Sequence, residues 1–424
     1  MNIEIISIGR ELLDGRTIDT NSVFFGEELK KRGLVPRFYQ RVDDVREDML
    51  AAFDIAAKRS DLIFVTGGLG PTSDDLTTEI FAKFMSLKLV ENPEARKTLE
   101  NRFQSLGRTM HDSQLKQAQF PQGAKHLTND IGTAPGFSYQ DKHRKWFFMP
   151  GVPSEMKFIF KNHIQNEVPP QKNFKRKVWM THFTSEGELQ QKLKDVIAAL
   201  PKEISFFYRT RFPENHLGLS GVVDTEDLQK YFETASKQIE EILADTFFST
   251  TEGQGLEAIV TELARKSGIH AASVESCTGG LVSSRITDVS GSSDVWWGAY
   301  CTYDNSAKLD LAAAVDLETQ MNEALSDNGA VSEEVASTMA LCGAKKTSKS
   351  IGTNSLCVST TGVAGPSGGT KDKPVGMCCI AVANESRVLF KTTVYARPGL
   401  SRQQNKLYFS QHALNSLRLE LLKQ

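Results

Sequence analysis

The stretch DLIFVTGGLGPTSDDLT, residues 61–77, holds the first clear sign of the fold. Its opening run, Asp61–Val65, is apolar and reads as a buried strand. The run breaks into Thr66, Gly67, Gly68 and Gly70, then Pro71, Thr72 and the adjacent carboxylates Asp74 and Asp75. Glycines let a backbone approach a phosphate closely, and paired carboxylates suit a hard divalent cation. The plainer reading is a turn in which Asp75 caps the following helix.

Upstream, Ile3–Ile8 reads as a first strand running into Gly9–Leu13, and a helix begins near Asn21 and ends at the breaker Gly33. A second strand, Val35–Val42, and a second helix, Arg46–Lys58, lead back to residue 61. This alternation predicts an α/β fold with a doubly wound, mostly parallel sheet. Ligands of such sheets lie beyond the carboxyl ends of the strands, where the 66–77 loop falls. Downstream come a turn-rich loop at 129–137, a strand at Trp146–Met149, and Pro150–Met156, where Ser154 is placed to cap a helix.

Residues 169–171 read as a linker, and 172–250 as a small α+β module. Its helices are expected at Glu188–Leu200 and Glu226–Leu243, and its strands near Lys177–Phe183, Ile204–Tyr208 and Leu217–Val223. A third domain follows over 254–424. Helix Leu256–Lys266 leads to strand Ile269–Val274, the turn Glu275–Gly280 and helix Leu281–Ile286. A strand, Gly-rich turn and helix N-terminus in series present N–H groups to an anion. Gly291–Ser293, Tyr303–Asn305 and Lys308 add hydroxyls, a phenol, an amide and an amine nearby. Ser332 caps a further helix, strand Asn354–Ser359 enters the loop Thr360–Gly369, and strands 377–383 and 388–395 precede a last helix, Arg402–Leu422.

With 424 residues, 40% hydrophobic and 24% charged, the chain has room for two or three cores. A net charge of -2 argues against nucleic acid or a membrane surface as partner. The apolar start is too short for a signal peptide, and no segment is long enough to span a membrane. All six cysteines lie between Cys277 and Cys379 without CxxC or metal-type spacing, so reduced thiols in a cytoplasm are expected, without structural zinc.

The segments GRELLDG, TGGLGPTSDDLT, NDIGTAPGF and MPGVPSEM closely resemble the N-terminal part of the CinA family, the competence/damage-inducible proteins. That part is similar to molybdopterin-binding folds of the MoaB/MogA type, and in some members is a metal-dependent ADP-ribose pyrophosphatase. The resemblance implies a nucleotide site at Glu11, Asn21, Gly67, Gly68, Gly70, Thr72, Asp75, Gly132, Thr133 and Pro150. Asp74 and Asp75 would hold Mg²⁺, Mn²⁺ or Co²⁺. Arg10 departs from the usual Thr or Asp and is expected to pair with Glu11 or touch a phosphate. The middle module is implied to be KH-like. Its Gly218-Leu219-Ser220-Gly221 falls in a strand-like run without nearby lysines, which argues against RNA binding.

VESCTGG, GSS, YDNSAK, GAVSEEVA, TTGVAGPSGGTKDKPVG and Arg402 match the CinA C-terminal domain. Proteins similar to that domain alone are nicotinamide-mononucleotide (NMN) deamidases of the PncC type. Departures are Val274 for Ala, Trp296-Trp297, Asp304 for Ser, and Leu400-Ser401 for Gly-Asp. Deamidation needs an activated nucleophile, an acid for ammonia and donors for an oxyanion. His270 lies inside a strand, so no Ser/His or Cys/His pair offers itself. Ser276 and Ser293 are the nucleophile candidates, with Cys277 a rival, and Lys308 and Tyr303 the base and acid. Thr278, Gly279, Asn305, Thr361, Gly362 and Gly365 would hold substrate, and Arg402 its phosphate. No cofactor is expected for the deamidase. NMN and ADP-ribose are the expected small-molecule partners, and the family resemblance implies a homodimer. The alternative is a protein that binds a nucleotide or molybdopterin without turning it over.

Overall fold

In strand β1 (Ile3–Ile8), Ile3 and Ile5 pack on one face of a sheet and Ile6 and Ile8 on the other. Burial on both faces marks a parallel strand between helical layers. The computed structural model describes residues 1–182 and 185–424. The chain divides into two units, one of residues 1–176 with 221–224 and one of 177–220 with 225–424.

The first part of the chain continues with α1 (Arg10–Leu13), α2 (Thr20–Lys30), β2 (Phe38–Val42), α3 (Arg46–Arg59), β3 (Leu62–Thr66) and α4 (Thr77–Phe84). Then come β4 (Leu89–Glu91), α5 (Pro93–Ser105), α6 (Asp112–Leu115), β5 (Gln119–Pro121), β6 (Lys125–Leu127), β7 (Gly136–Gln140), β8 (Lys145–Met149) and α7 (Pro153–Ile159). The main sheet has the order β2-β1-β3-β8-β7-β6, parallel from β2 to β8 and antiparallel beyond. Phe53, Ile63, Phe81, Trp146 and Phe148 fill one face; Phe25, Phe64, Phe147 and Phe160 fill the other. Burying each such ring contributes about 1.5–3 kcal/mol. β2 begins at Phe38 rather than Val35, because Pro36 has no N–H for a ladder. Ser154 lies inside α7, whose N-cap is Val152 with Pro153 in the first turn.

The middle module comprises β9 (Phe174–His182), α8 (Glu186–Ala198), β10 (Ile204–Arg211), β11 (Glu214–Val222), α9 (Glu226–Leu243) and β12 (Phe247–Ser249), with sheet order β10-β11-β9-β12. The end of the expected strand at Phe183 lies outside the described residues. Gly218 sits in β11, where an added Cβ would strike the Phe207 ring and the Lys177 carbonyl.

The last part holds α10 (Leu256–Ser267), β13 (His270–Glu275), α11 (Leu281–Thr287), β14 (Trp296–Cys301), α12 (Asn305–Ala313), α13 (Glu318–Asn328) and α14 (Glu333–Ile351). β15 (Ser355–Gly362), β16 (Met377–Ala383), β17 (Val388–Tyr395) and α15 (Arg402–Leu421) complete it. The sheet order is β14-β13-β15-β16-β17, with the first three strands parallel. One face buries Leu356, Val358 and Ile380 with Leu414 and Leu417 of α15; the other buries Val274 and Cys357 with Met339 of α14. Met180 and Phe248 of the middle module belong to the same apolar cluster as Leu256 and Leu414. Among the described residues no helix is long and apolar enough to cross a membrane.

Candidate active site

β13 ends on Glu275, whose fully buried carboxylate accepts from Ser273 Oγ (2.9 Å), Thr278 Oγ1 (2.7 Å) and the backbone N–H groups of Val282 (3.0 Å) and Ser283 (2.9 Å). The positive end of α11, expected to receive a ligand anion, is thus occupied by a side chain of the protein itself. Thr278 also proves to hold the turn: it is buried, and its hydroxyl lies 2.7 Å from that of Thr360. Gly279 does not border the cavity described next; it adopts φ +60° beside the Lys406 amine.

A cavity of about 300 Å³ opens at the carboxyl ends of β13 and β15. Ser276, Cys277, Tyr303, Asn305, Lys308, Thr361, Gly362, Gly365 and Arg402 border it. Ser293 does not. It is exposed in the turn before β14, at the amino ends of the parallel strands, whereas Ser276 follows the carboxyl end of β13. Strand direction therefore removes Ser293 from the candidate pair.

Lys308 is 1% exposed, and its Nζ donates to Asn305 Oδ1 at 3.3 Å. Burial holds the amine below its ordinary pKa, against the opposite pull of Asp304 and Cys277. Asp304 is the N-cap of α12, accepting from Ser306 N at 2.9 Å. The Cys277 and Cys378 sulfurs are 3.6 Å apart. Tyr303, 62% exposed, forms the rim: Arg402 donates from Nη2 to its phenol oxygen (2.8 Å) and from Nη1 to Gly365 O (2.6 Å). The expected strand end at Ser359 moves to Gly362, because β16 pairs antiparallel as far as Gly362↔Cys378. Thr361 is consequently a strand residue, and its hydroxyl donates to Ala330 O at 2.6 Å rather than standing free for substrate. Gly362 is required by the close approach of β16, since a Cβ there would lie 2.4 Å from Met377 O.

The second cavity, about 450 Å³, lies beyond the carboxyl ends of β1, β3 and β8. Glu11, Gly67, Gly68, Gly70, Asp74, Asp75, Thr133 and Pro150 border it, with Asp44, Gln117 and Glu155, which sequence reasoning missed. Glu155 was legible as a carboxylate just past strand β8; Gln117 carried no comparable signal. Asn21, Thr72 and Gly132 stand one step back from the cavity. Asn21 Nδ2 donates to Gly151 O (2.8 Å), and Thr72 donates its N–H (2.9 Å) and hydroxyl (2.5 Å) to Asp75 Oδ2. Gly132 leaves space for Glu155, whose carboxyl burial raises its pKa while Asn129 opposes the shift. Arg10 pairs with Asp43 at 3.1 Å, not with Glu11.

The carboxylates expected to hold a divalent cation do not form a ready site. Asp75 is committed to Thr72 and Asp74 is exposed; among the described residues no three His, Cys, Asp or Glu side chains converge on one point.

Residues 253–421 match the CinA C-terminal domain, and residues 4–170 a probable molybdopterin binding domain. The chain is 34% identical over its whole length to a putative competence-damage inducible protein of Alkaliphilus metalliredigens, covering 100% of both. It is 35% identical to a CinA-like protein of Desulfosudis oleivorans (100% of both) and 37% identical to one of Syntrophomonas wolfei (98% of both).

Proposed function

The chain belongs to the CinA family, and from that premise we propose that its C-terminal domain hydrolyses the carboxamide of NMN to nicotinate mononucleotide and ammonia. One observation carries the reading: Ser276 and the buried, pKa-depressed Lys308 border the same cavity. A neutral amine can take the Ser276 proton as Oγ attacks the carboxamide carbon, and return it to the departing ammonia. Water then hydrolyses the acyl-serine with the same amine as base. Arg402, at the rim with Tyr303, suits the substrate phosphate. Ammonia release from NMN by the purified full chain tests the proposal. No release, with NMN binding intact, would favour a ligand-binding protein.

A second reading concerns the N-terminal cavity, and its position beyond the parallel strand ends favours it. We propose a nucleotide ligand there, with ADP-ribose hydrolysis as the candidate activity. The acidic lining would repel a pyrophosphate unless Mg²⁺, Mn²⁺ or Co²⁺ accompanied it. Equal cleavage with and without chelator would remove the metal requirement.

A further inference from the structure

Cys277 and Cys378 meet where the C-terminal cavity joins the core, and the deamidation chemistry uses neither. Their sulfurs are 3.6 Å apart. Among the described residues Cys277 is the one cysteine bordering the cavity, and it is 5% exposed. Cys378 is fully buried in β16, a strand paired on both edges, with Gly362 of β15 and Val394 of β17 opposite it. One thiol is open to a small molecule that enters by the substrate's route, and the other is reached only through the first. Reactive and resolving cysteines divide the work in this way.

We propose that Cys277 and Cys378 form an oxidation site, closed to a disulfide by hydrogen peroxide, and that closure displaces Ser276. In the first step Cys277 Sγ, as thiolate, attacks one peroxide oxygen. The S–O bond forms, the O–O bond breaks, and hydroxide leaves as water with the proton the thiol gave up. Cys378 Sγ then displaces the hydroxyl of the sulfenic acid: the S–S bond forms, the S–O bond breaks, and a second water carries off the Cys378 proton. The two thiols together lose two electrons, and one peroxide is reduced to two waters. Lys308 borders the same cavity and interacts electrostatically with Cys277, so an amine is at hand to take the first proton. Burial and the Cys277 sulfur hold the Cys378 thiol well above its ordinary pKa, which keeps it inert until the sulfenic acid stands beside it.

Closing the pair shortens the sulfur separation from 3.6 Å to about 2.05 Å. β16 is held by both neighbours, so the movement falls on the turn that carries Cys277. That turn is pinned on either side of Ser276-Cys277: Glu275 ends β13, and the Thr278 hydroxyl is bonded to Glu275 and Thr360. Ser276, whose N–H donates to Thr360 O at 2.9 Å, lies between the pins and is displaced. A reacting group misplaced by about 1 Å costs roughly 100-fold in rate.

The loss of activity rests on the proposed deamidation, whereas the disulfide itself does not, and the experiment reads both. The full chain is treated with excess hydrogen peroxide, its remaining thiols are blocked, and its peptides are mapped by mass. A peptide joined through Cys277 and Cys378 should appear, ammonia release from NMN should fall ten-fold or more, and dithiothreitol should reverse both. Cys378→Val, which keeps an apolar side chain in the core, should give no such peptide. Its inactivation should resist dithiothreitol, because an unresolved sulfenic acid goes on to sulfinic acid. Exposed Cys301 is the internal control, and its oxidation without the joined peptide would overturn the proposal. A disulfide that leaves turnover unchanged would overturn the displacement of Ser276. Should the reduced parent release no ammonia, the peptide map still decides the oxidation site, and it is the deamidase reading that falls. Should Cys378→Val fail to fold, the parent's map decides alone.

Discussion

Arg402 Nη2 lies 2.8 Å from the phenol oxygen of Tyr303, which joins the N-terminus of α15 to the loop before α12 across the mouth of the C-terminal cavity. The same guanidinium holds Gly365 O, so one cation organises two walls. Arg402→Met should raise KM for NMN by about 10–100-fold, the worth of a charge-assisted hydrogen bond, and change kcat far less. Tyr303→Phe should raise KM by a smaller factor. Steady-state kinetics decide between this and a proton-transfer role for Tyr303, under which kcat would fall instead.

Lys308→Met should lower kcat by about 10²–10⁴ and leave NMN affinity nearly unchanged. In the parent enzyme kcat should rise with pH through a midpoint below 10.5, because burial disfavours the ammonium. The same shift acts on folding. The unfolded chain binds this proton more tightly, so the penalty is fullest below the folded pKa and fades as pH climbs towards 10.5. The variant should therefore melt no lower than the parent at neutral pH. Parent-like kcat would remove Lys308 from the mechanism.

Glu275→Ala strands two hydroxyls and two helix N–H groups that share one buried carboxylate. A loss of roughly 3–5 kcal/mol is expected, in line with removing one partner from a buried charged network. Chemical denaturation measures it, and a cost below about 1 kcal/mol would show that water replaces the carboxylate freely.

What could be read from sequence follows from how local each determinant is. The strands β1, β3, β13 and β16 announce themselves as apolar runs, and Ser276 and Lys308 stand in motifs that a resemblance can carry. Ser293 sits only three residues before β14, but which end of a strand faces the cavity is set by the parallel pairing of β13 and β14. Thr361 and Gly362 looked like loop residues because their strand status depends on β16, a partner fifteen or more residues away. Glu275 reads as one more polar turn residue until the fold wraps α11 around it. Arg10 had an adjacent carboxylate in sequence, yet its partner Asp43 arrives from the end of β2.

A C-terminal domain starting at residue 253 is expected to fold, but the contacts of α15 bear on where to cut. Arg418 is 4% exposed and donates to Asp245 O (2.5 Å) and Phe247 O (3.5 Å), while Phe248 packs in the cluster of Leu414 and Leu417. Cutting at 253 strips a buried cation of its acceptors and uncovers apolar surface. Residues 244–424 should melt several degrees above residues 253–424, and limited proteolysis should show the same order. Equal melting temperatures would mean that α15 rearranges without loss.

His412 lies in α15 with its ring 4.7 Å from that of His182 and 4.6 Å from that of Tyr408. Burial lowers its pKa to about 4 from 6.5, and His182 is also pushed well below the ordinary value, by burial and by neighbouring positive charge. Both imidazoles are therefore neutral in the folded protein near pH 6. The unfolded chain takes up protons first as pH falls through 6.5, so stability should decline between there and pH 4. For His412 alone the loss is on the order of 3 kcal/mol across that window. Above pH 7 neither form is protonated and the contribution is flat. His412→Phe keeps a ring against Tyr408 and cannot charge, so its melting temperature should depend less steeply on pH between 4 and 6.5. Carboxylates titrate at the acid end in parent and variant alike, which makes the difference between the two curves the informative quantity. Superimposable curves would show that the His412 ring is open to water in the folded state.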